Sequence, residues 1–141
     1  MVVLDTDHVS FLERQDSTQA ARLLRRLSSL SRTEVATTII TYEEQTRGWL
    51  AYAAKSRTIA QQIEAYRQLH KHLNTYRDIV ILDFNEPAAV EYQRLRKSAP
   101  RVGSYDLKIA AIVRSKDALL LTRNLRDFRQ ISDLQIEDWT A

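Results

Sequence analysis

The chain has 141 residues, 44% of them hydrophobic and 28% charged, with a formal net charge of +3; a chain of this length buries roughly 68–70% of its unfolded surface as one compact domain and leaves no room for a second. Cysteine is absent and Gly48 and Gly103 are the only glycines, which excludes disulfides, thiolate metal sites, cysteine nucleophiles and the glycine-rich phosphate loops of the Walker and dinucleotide-binding kinds. The longest apolar run, Trp49 to Ala54, falls far short of the ~20 residues of a membrane helix, and no basic-then-apolar leader opens the chain, so a soluble cytoplasmic protein with no membrane partner is expected.

Val2-Val3-Leu4 opens the chain as a short apolar run ending in the polar turn Asp5-Thr6-Asp7, and the same pattern of apolar run then polar turn recurs at Val35 to Ile40, Ile79 to Leu82 and Ala118 to Leu121. These are four expected strands, with a weak fifth around Leu134 to Ile136. Helix-period segments lie between them: Ala21, Leu24 and Leu27 in the first, then Ile59, Ile63, Tyr66, Leu69 or His70, Leu73 and Tyr76 at alternating steps of three and four. From about 41 to 77 the chain is longer than one crossover helix needs, and Lys55-Ser56-Arg57-Thr58 divides it into an expected helical hairpin. Alternation of apolar strands with amphipathic helices implies βαβ crossovers and a parallel sheet of four or five strands covered on both faces, an α/β fold in a single domain over 1–141.

The ligand crevice of an open parallel sheet lies beyond the carboxyl ends of its strands. Asp5 follows the first strand directly, Glu44 lies one helical turn into the element after the second, Asp127 follows the fourth, and Asp106 opens the helix just before that fourth strand. Each has a structural explanation, because carboxylates near helix amino termini are stabilised by the macrodipole and by unpaired amide donors; Thr41 to Glu44 has capping-box spacing, and Asn124 to Asp127 approaches it. Four carboxylates converging on one crevice, however, raise one another's pKa unless a cation neutralises them. An all-oxygen site of this kind suits Mg²⁺ or Mn²⁺, which activates water for in-line attack on a phosphodiester. His70 and His72 are two apart on a helix and point to different faces, so they do not form a helical zinc pair; His8, beside the acidic turn, is expected on a helix surface.

Basic residues gather between Lys55 and Arg77 and again from Arg94 to Arg101. Solvated helix faces account for them, and the alternative is a track for a polyanion along Arg57, Arg67, Lys71 and Arg94.

The chain resembles the PIN-domain family and, within it, the VapC toxins of toxin–antitoxin pairs. The resemblance rests on Val3-Leu4-Asp5-Thr6-Asp7, on Thr41 to Gly48 with its Glu-x-x-x-Gly spacing, on Gly103 to Ala111 around Asp106, and on Leu121-Thr122-Arg123-Asn124-Leu125-Arg126-Asp127-Phe128, in that order along the chain. It implies a three-layer α/β/α sandwich that hydrolyses RNA with Mg²⁺ or Mn²⁺, as a homodimer held silent by a small VapB-like antitoxin. Asp5, Glu44 and Asp106 are then the core catalytic carboxylates and metal ligands. Family members often carry an acid where this chain has Asn124, and Asp127 lies one helical turn further on, so both are candidates for the fourth position. Under the same reading Gly48, which costs a helix about 1 kcal/mol relative to alanine, is expected to admit the close approach of another backbone.

Two rivals use the same residues. Asp5-Thr6-Asp7 also fits the opening of haloacid-dehalogenase-like phosphatases, with Asp5 as nucleophile, Asp7 as acid/base and Lys108 as the required lysine. A non-enzymatic module is the other, either of receiver type with Asp83 accepting phosphate or a catalytically dead RNA-binding domain.

Overall fold

The computed structural model describes residues 1–141. In chain order it contains β1 (Val2–Leu4), α1 (Thr6–Glu13), α2 (Thr18–Leu27), a 3-10 turn at Arg32–Glu34, β2 (Val35–Thr38), α3 (Ile39–Ala54), α4 (Ile59–Arg77), β3 (Val80–Leu82), α5 (Glu86–Ser98), α6 (Ser104–Ser115), β4 (Leu119–Leu121), α7 (Leu125–Phe128) and β5 (Gln135–Glu137). The strands form one sheet in the order β3-β2-β1-β4-β5, every neighbouring pair parallel.

The period-2 alternation of side chains sorts the strand residues into two cores. Val3, Ala36 and Leu120 point to one face, where they meet Leu95, Leu107 and Ile112 of α5 and α6; Val2, Leu4 and Leu121 point to the other, where they meet Val9, Leu23 and Tyr76 of α1, α2 and α4. The result is the expected α/β/α sandwich, and the weak fifth strand is real, pairing Leu120 with Ile136 at the sheet edge.

Three local expectations are corrected. The second apolar run ends as a strand at Thr38, because the Thr38 hydroxyl accepts the Thr41 N–H at 3.1 Å and starts α3 at Ile39. Thr38, not Thr41, is therefore the N-cap, and no capping box joins Thr41 to Glu44. In α2 the buried positions are Ala20 and Leu23, while Ala21 is exposed. The largest difference is in α4: its apolar stripe faces outward, with Ile59 70%, Tyr66 63% and Leu73 57% exposed, whereas Ala65, His72 and Tyr76 face the body of the protein. The inward face carries His72, whose Nε2 contacts the Thr46 hydroxyl at 2.7 Å and whose ring stacks on Tyr42, and burial holds the imidazole below its usual pKa.

Candidate active site

Register assembles the site. Leu4 pairs with Leu121 across β1 and β4, so the residues just beyond the two strand ends, Asp5 and Thr122, lie side by side. The Asp5 N–H donates to the Leu121 carbonyl at 2.9 Å. Asp5 is also the N-cap of α1: its Oδ1 accepts the Thr6 N–H at 2.8 Å, and its Oδ2 accepts the Thr122 hydroxyl at 2.8 Å. Only 6% of the residue is exposed. Burial, reinforced by the neighbouring Asp7 carboxylate, pushes the Asp5 carboxyl up to about 7, against the hydrogen bonds from Thr122 and Thr6.

Glu44 projects from α3 and accepts the Thr6 hydroxyl at 2.5 Å. Asp106, in the first turn of α6, accepts Asn124 Nδ2 at 3.3 Å, and the same amide donates to Asp127 at 3.1 Å. Burial first, then Asp127, Glu44 and Asp7, push the Asp106 carboxyl up to about 6. Asp5, Glu44, Asp106 and Asp127 lie toward one end of the sheet, where Asp106 raises Asp5 and is itself raised by Asp127 and Glu44. Neither Asn124 nor Gly103 makes a side-chain cap to its helix, so the capping explanation fails for the Asn124 to Asp127 turn. Asn124 instead bridges two carboxylates through Nδ2, leaving its side-chain Oδ1 uncommitted.

As placed, no three acidic or histidine side chains gather within ligating reach of a single point. Neutral donors from Thr6, Thr122 and Asn124 hold the carboxylates in separate hydrogen bonds. The chemistry of the set nonetheless fits a hard divalent cation: the donors are all oxygen, and two of the carboxyls are raised by burial and by one another, the condition a cation relieves.

Thr6 and Thr122 were not legible as site residues, although each sits next to a strand end in a quoted motif. His8 is a correction: it is fully buried rather than on a helix surface. Its Nδ1–H donates to Asp7 Oδ1 at 2.6 Å and its Nε2 accepts the Trp139 N–H at 3.2 Å, which sets the neutral tautomer and ties α1 to the chain after β5. Asp7 Oδ2 accepts the Arg123 N–H at 2.9 Å. Of the other residues the phosphatase reading requires, Asp7 is held at both oxygens by His8 and Arg123, and Lys108 lies over the rings of Phe84 and Tyr92. Asp83, needed by the receiver reading, follows the edge strand β3, two strands from Asp5.

Gly48 is also corrected. A Cβ built there meets nothing within 4 Å, so no backbone approaches it; the glycine borders an open cleft of about 620 Å³ between α1, α3 and α4, whose wall includes Thr6, Trp49, Tyr52 and Lys71. Of the expected polyanion track, Lys71 lines this cleft, Arg67 pairs with Glu64 at 2.6 Å, Arg94 on α5 pairs with Glu91 at 2.7 Å, and Arg57 lies exposed between α3 and α4.

An α/β/α sandwich with this strand order and carboxylates beyond the ends of its central strands defines a class of protein, and residues 2–134 match the PIN domain. The chain belongs to the PIN-domain family. It is 30% identical over 142 residues to a protein named Ribonuclease VapC1 from Haemophilus influenzae (strain R2866), covering 98% of this chain and 97% of that one. Over a shorter stretch, 42% of this chain and 48% of the relative, it is 36% identical to the tRNA(fMet)-specific endonuclease VapC of Salmonella typhimurium. Among solved structures it is similar to VapBC-1 from nontypeable Haemophilus influenzae, with a TM-score of 0.69 and 29% identity over the whole of both chains. No helix is long and apolar enough to cross a membrane.

Proposed function

We propose that this protein is a metal-dependent endoribonuclease, the toxin of a toxin–antitoxin pair. Asp5, Glu44 and Asp106 would hold Mg²⁺ or Mn²⁺, with Asp127 or the free carbonyl of Asn124 in fourth place. The observation that carries the reading is the pair of raised carboxyls, Asp5 at about 7 and Asp106 at about 6, beyond the ends of two central strands in a PIN-domain chain. Near neutral pH Asp5 is partly protonated and Asp106 largely ionised, and a dication favours the fully ionised pair, releasing protons as it binds.

When bound, the metal supplies a Lewis acid and a water of lowered pKa at the phosphodiester. The chain's own residues do the rest. Thr122 and the Thr6 N–H orient Asp5, the Thr6 hydroxyl orients Glu44, and Asn124 sets Asp106 and Asp127 apart, so that two like charges do not collapse onto one proton. Asp127, which raises Asp106 through space, would accept a proton from an attacking water.

The relatives' names, Ribonuclease VapC1 and tRNA(fMet)-specific endonuclease VapC, support RNA as substrate, and the similarity to a VapBC structure supports a small antitoxin as partner. The uncovered apolar residues of α4, Ile59, Ile63, Tyr66 and Leu73, support assembly with protein partners, the antitoxin and a second copy of the chain. The test is cleavage of a mixed single-stranded RNA pool with Mn²⁺, with Mg²⁺ and with chelator. Metal-dependent cleavage lost in Asp5→Asn, Glu44→Gln and Asp106→Asn is the expected result; cleavage that survives chelation refutes metal dependence, and turnover of a phosphomonoester with RNA left intact refutes the ribonuclease.

A further inference from the structure

The cleft beside Gly48 has a volume of about 620 Å³, within the size range of small-molecule sites. It opens next to the carboxylates, because Thr6, which holds Glu44, is also part of its wall. Its character differs from that of the apolar surface of α4. Glu64, Gln68 and Lys71 are spaced i, i+4, i+7 and present the cleft face of that helix, whereas Ile59, Ile63, Tyr66 and Leu73 fall on the other side of the same helix. The cleft is therefore separate from the surface that suits an apolar protein partner.

Its lining is aromatic and of mixed charge, with Arg14 and Lys71 beside Glu13 and Glu64. Trp49 and Tyr52 meet edge to face at 5.9 Å, with Tyr52 exposed. Arg14 and Lys71 line the cleft and form no salt bridge, Glu64 is tied to Arg67 and Gln68, and burial pushes the Glu13 carboxyl up against the opposing pull of Lys71 and Arg14. Gly48 carries the argument further. A glycine inside a long helix lowers stability, and nothing in the chain occupies the space its missing side chain leaves. The space adjoins Trp49, so the glycine keeps one wall of the cleft clear for a group that the chain does not supply.

We propose that this cleft receives one unpaired nucleobase of the RNA, adjacent to the phosphodiester held at the carboxylates, with Trp49 stacking on the base and Arg14 and Lys71 meeting the flanking phosphates. Single-stranded RNA is recognised in this way, by stacking on aromatic faces with cations along the backbone. The proposal rests on the ribonuclease reading and makes the cleft the element that selects which base stands beside the cut.

The test uses Asp5→Asn protein, which binds without cutting, and short single-stranded oligoribonucleotides carrying 2-aminopurine at one position each. Binding should quench the fluorescence of the label at one position. Trp49→Ala and Gly48→Leu, each added to Asp5→Asn, should abolish that quenching and weaken binding about 5- to 100-fold. In otherwise wild-type protein, Gly48→Leu should raise KM roughly tenfold and flatten the base preference next to the cut. Its melting temperature should not fall, because leucine is the better helix former and its Cβ meets nothing. Unchanged quenching and base preference in both variants overturns the proposal. So does Gly48→Leu protein that cleaves RNA normally but no longer binds its antitoxin, which assigns the cleft to the protein partner. Wild-type protein that cleaves no RNA refutes the ribonuclease reading, whereas the quenching experiment decides base binding by itself.

Discussion

The hydroxyl of Thr6 donates to Glu44 Oε1 at 2.5 Å, joining the first turn of α1 to the second turn of α3. Thr6 thereby positions a carboxylate brought from 38 residues away. Thr6→Val keeps the shape and removes the donor. We expect Mn²⁺ affinity or cleavage to fall about 10- to 100-fold, the usual cost of losing an outer-shell partner, with Thr6→Ser restoring most of it. Calorimetric Mn²⁺ titration beside cleavage rates checks this; wild-type affinity and rate in Thr6→Val would remove Thr6 from the site.

The raised carboxyls set a pH dependence. Asp5 and Asp106 hold their protons up to about 7 and about 6 in the folded protein, against an ordinary value of 3.8. Between pH 4 and 7 the unfolded chain therefore binds fewer protons than the native one, and metal-free stability should decline as pH rises through that window. Melting curves across it should show the decline in wild type and a shallower one in Asp5→Asn and Asp106→Asn. Because the lowered His72 contributes an opposite trend to all three proteins, the difference decides, and slopes that are the same in wild type and both variants would contradict the raised carboxyls.

Metal should reverse that loss. A ligand that binds only the native state stabilises by about 2.7 kcal/mol at a hundredfold excess over Kd, so Mn²⁺ at pH 7.5 should raise the melting temperature of wild type and of Arg94→Ala. Asp5→Asn, Glu44→Gln and Asp106→Asn should lose most of the increment. Equal shifts in all five proteins would mean that Mn²⁺ binds elsewhere.

His8 should matter for stability rather than chemistry. Replacing it by leucine strands the Trp139 N–H and frees Asp7 Oδ1, and an unsatisfied buried polar group costs about 1–3 kcal/mol. Urea denaturation should show that loss, and protease should reach the chain after β5 sooner. A His8→Leu protein as stable as wild type would show that the link between α1 and Trp139 contributes nothing.

Charge near the RNA should separate by location. Lys71 lines the cleft without a partner, whereas Arg94 is held by Glu91 on α5. Lys71→Ala in the Asp5→Asn background should reduce the salt dependence of RNA binding by a slope of about 0.7, one phosphate contact on a single strand; Arg94→Ala should leave it unchanged. The opposite result would move the RNA path to α5.

Much of this molecule is legible along the chain. Apolar triplets such as Val2-Val3-Leu4 and Leu119-Leu120-Leu121 alternate with helix-period segments, and a parallel sheet covered on both faces is the arrangement that buries them. Because such sheets place the residues after each strand at one edge, Asp5, Glu44 and Asp127 are candidates from the chain alone, whereas Asp106, which opens α6 and follows no strand, is brought near them by the packing of α6. What the chain order does not carry is which neighbour a side chain meets. The stripe from Ile59 to Leu73 has the period of a buried face, yet only packing decides that Ala65, His72 and Tyr76 turn inward and the stripe outward. His8 is polar and early, yet Trp139, at the far end of the chain, closes over it. Gly48 marks a site where the helix gives up stability, but only the space around it tells a close approach from an open cleft. Periodicity and composition are local properties of the chain, whereas burial, ion pairing and cavity shape are set by contacts between residues distant in sequence, and these contacts exist only once the layers have closed.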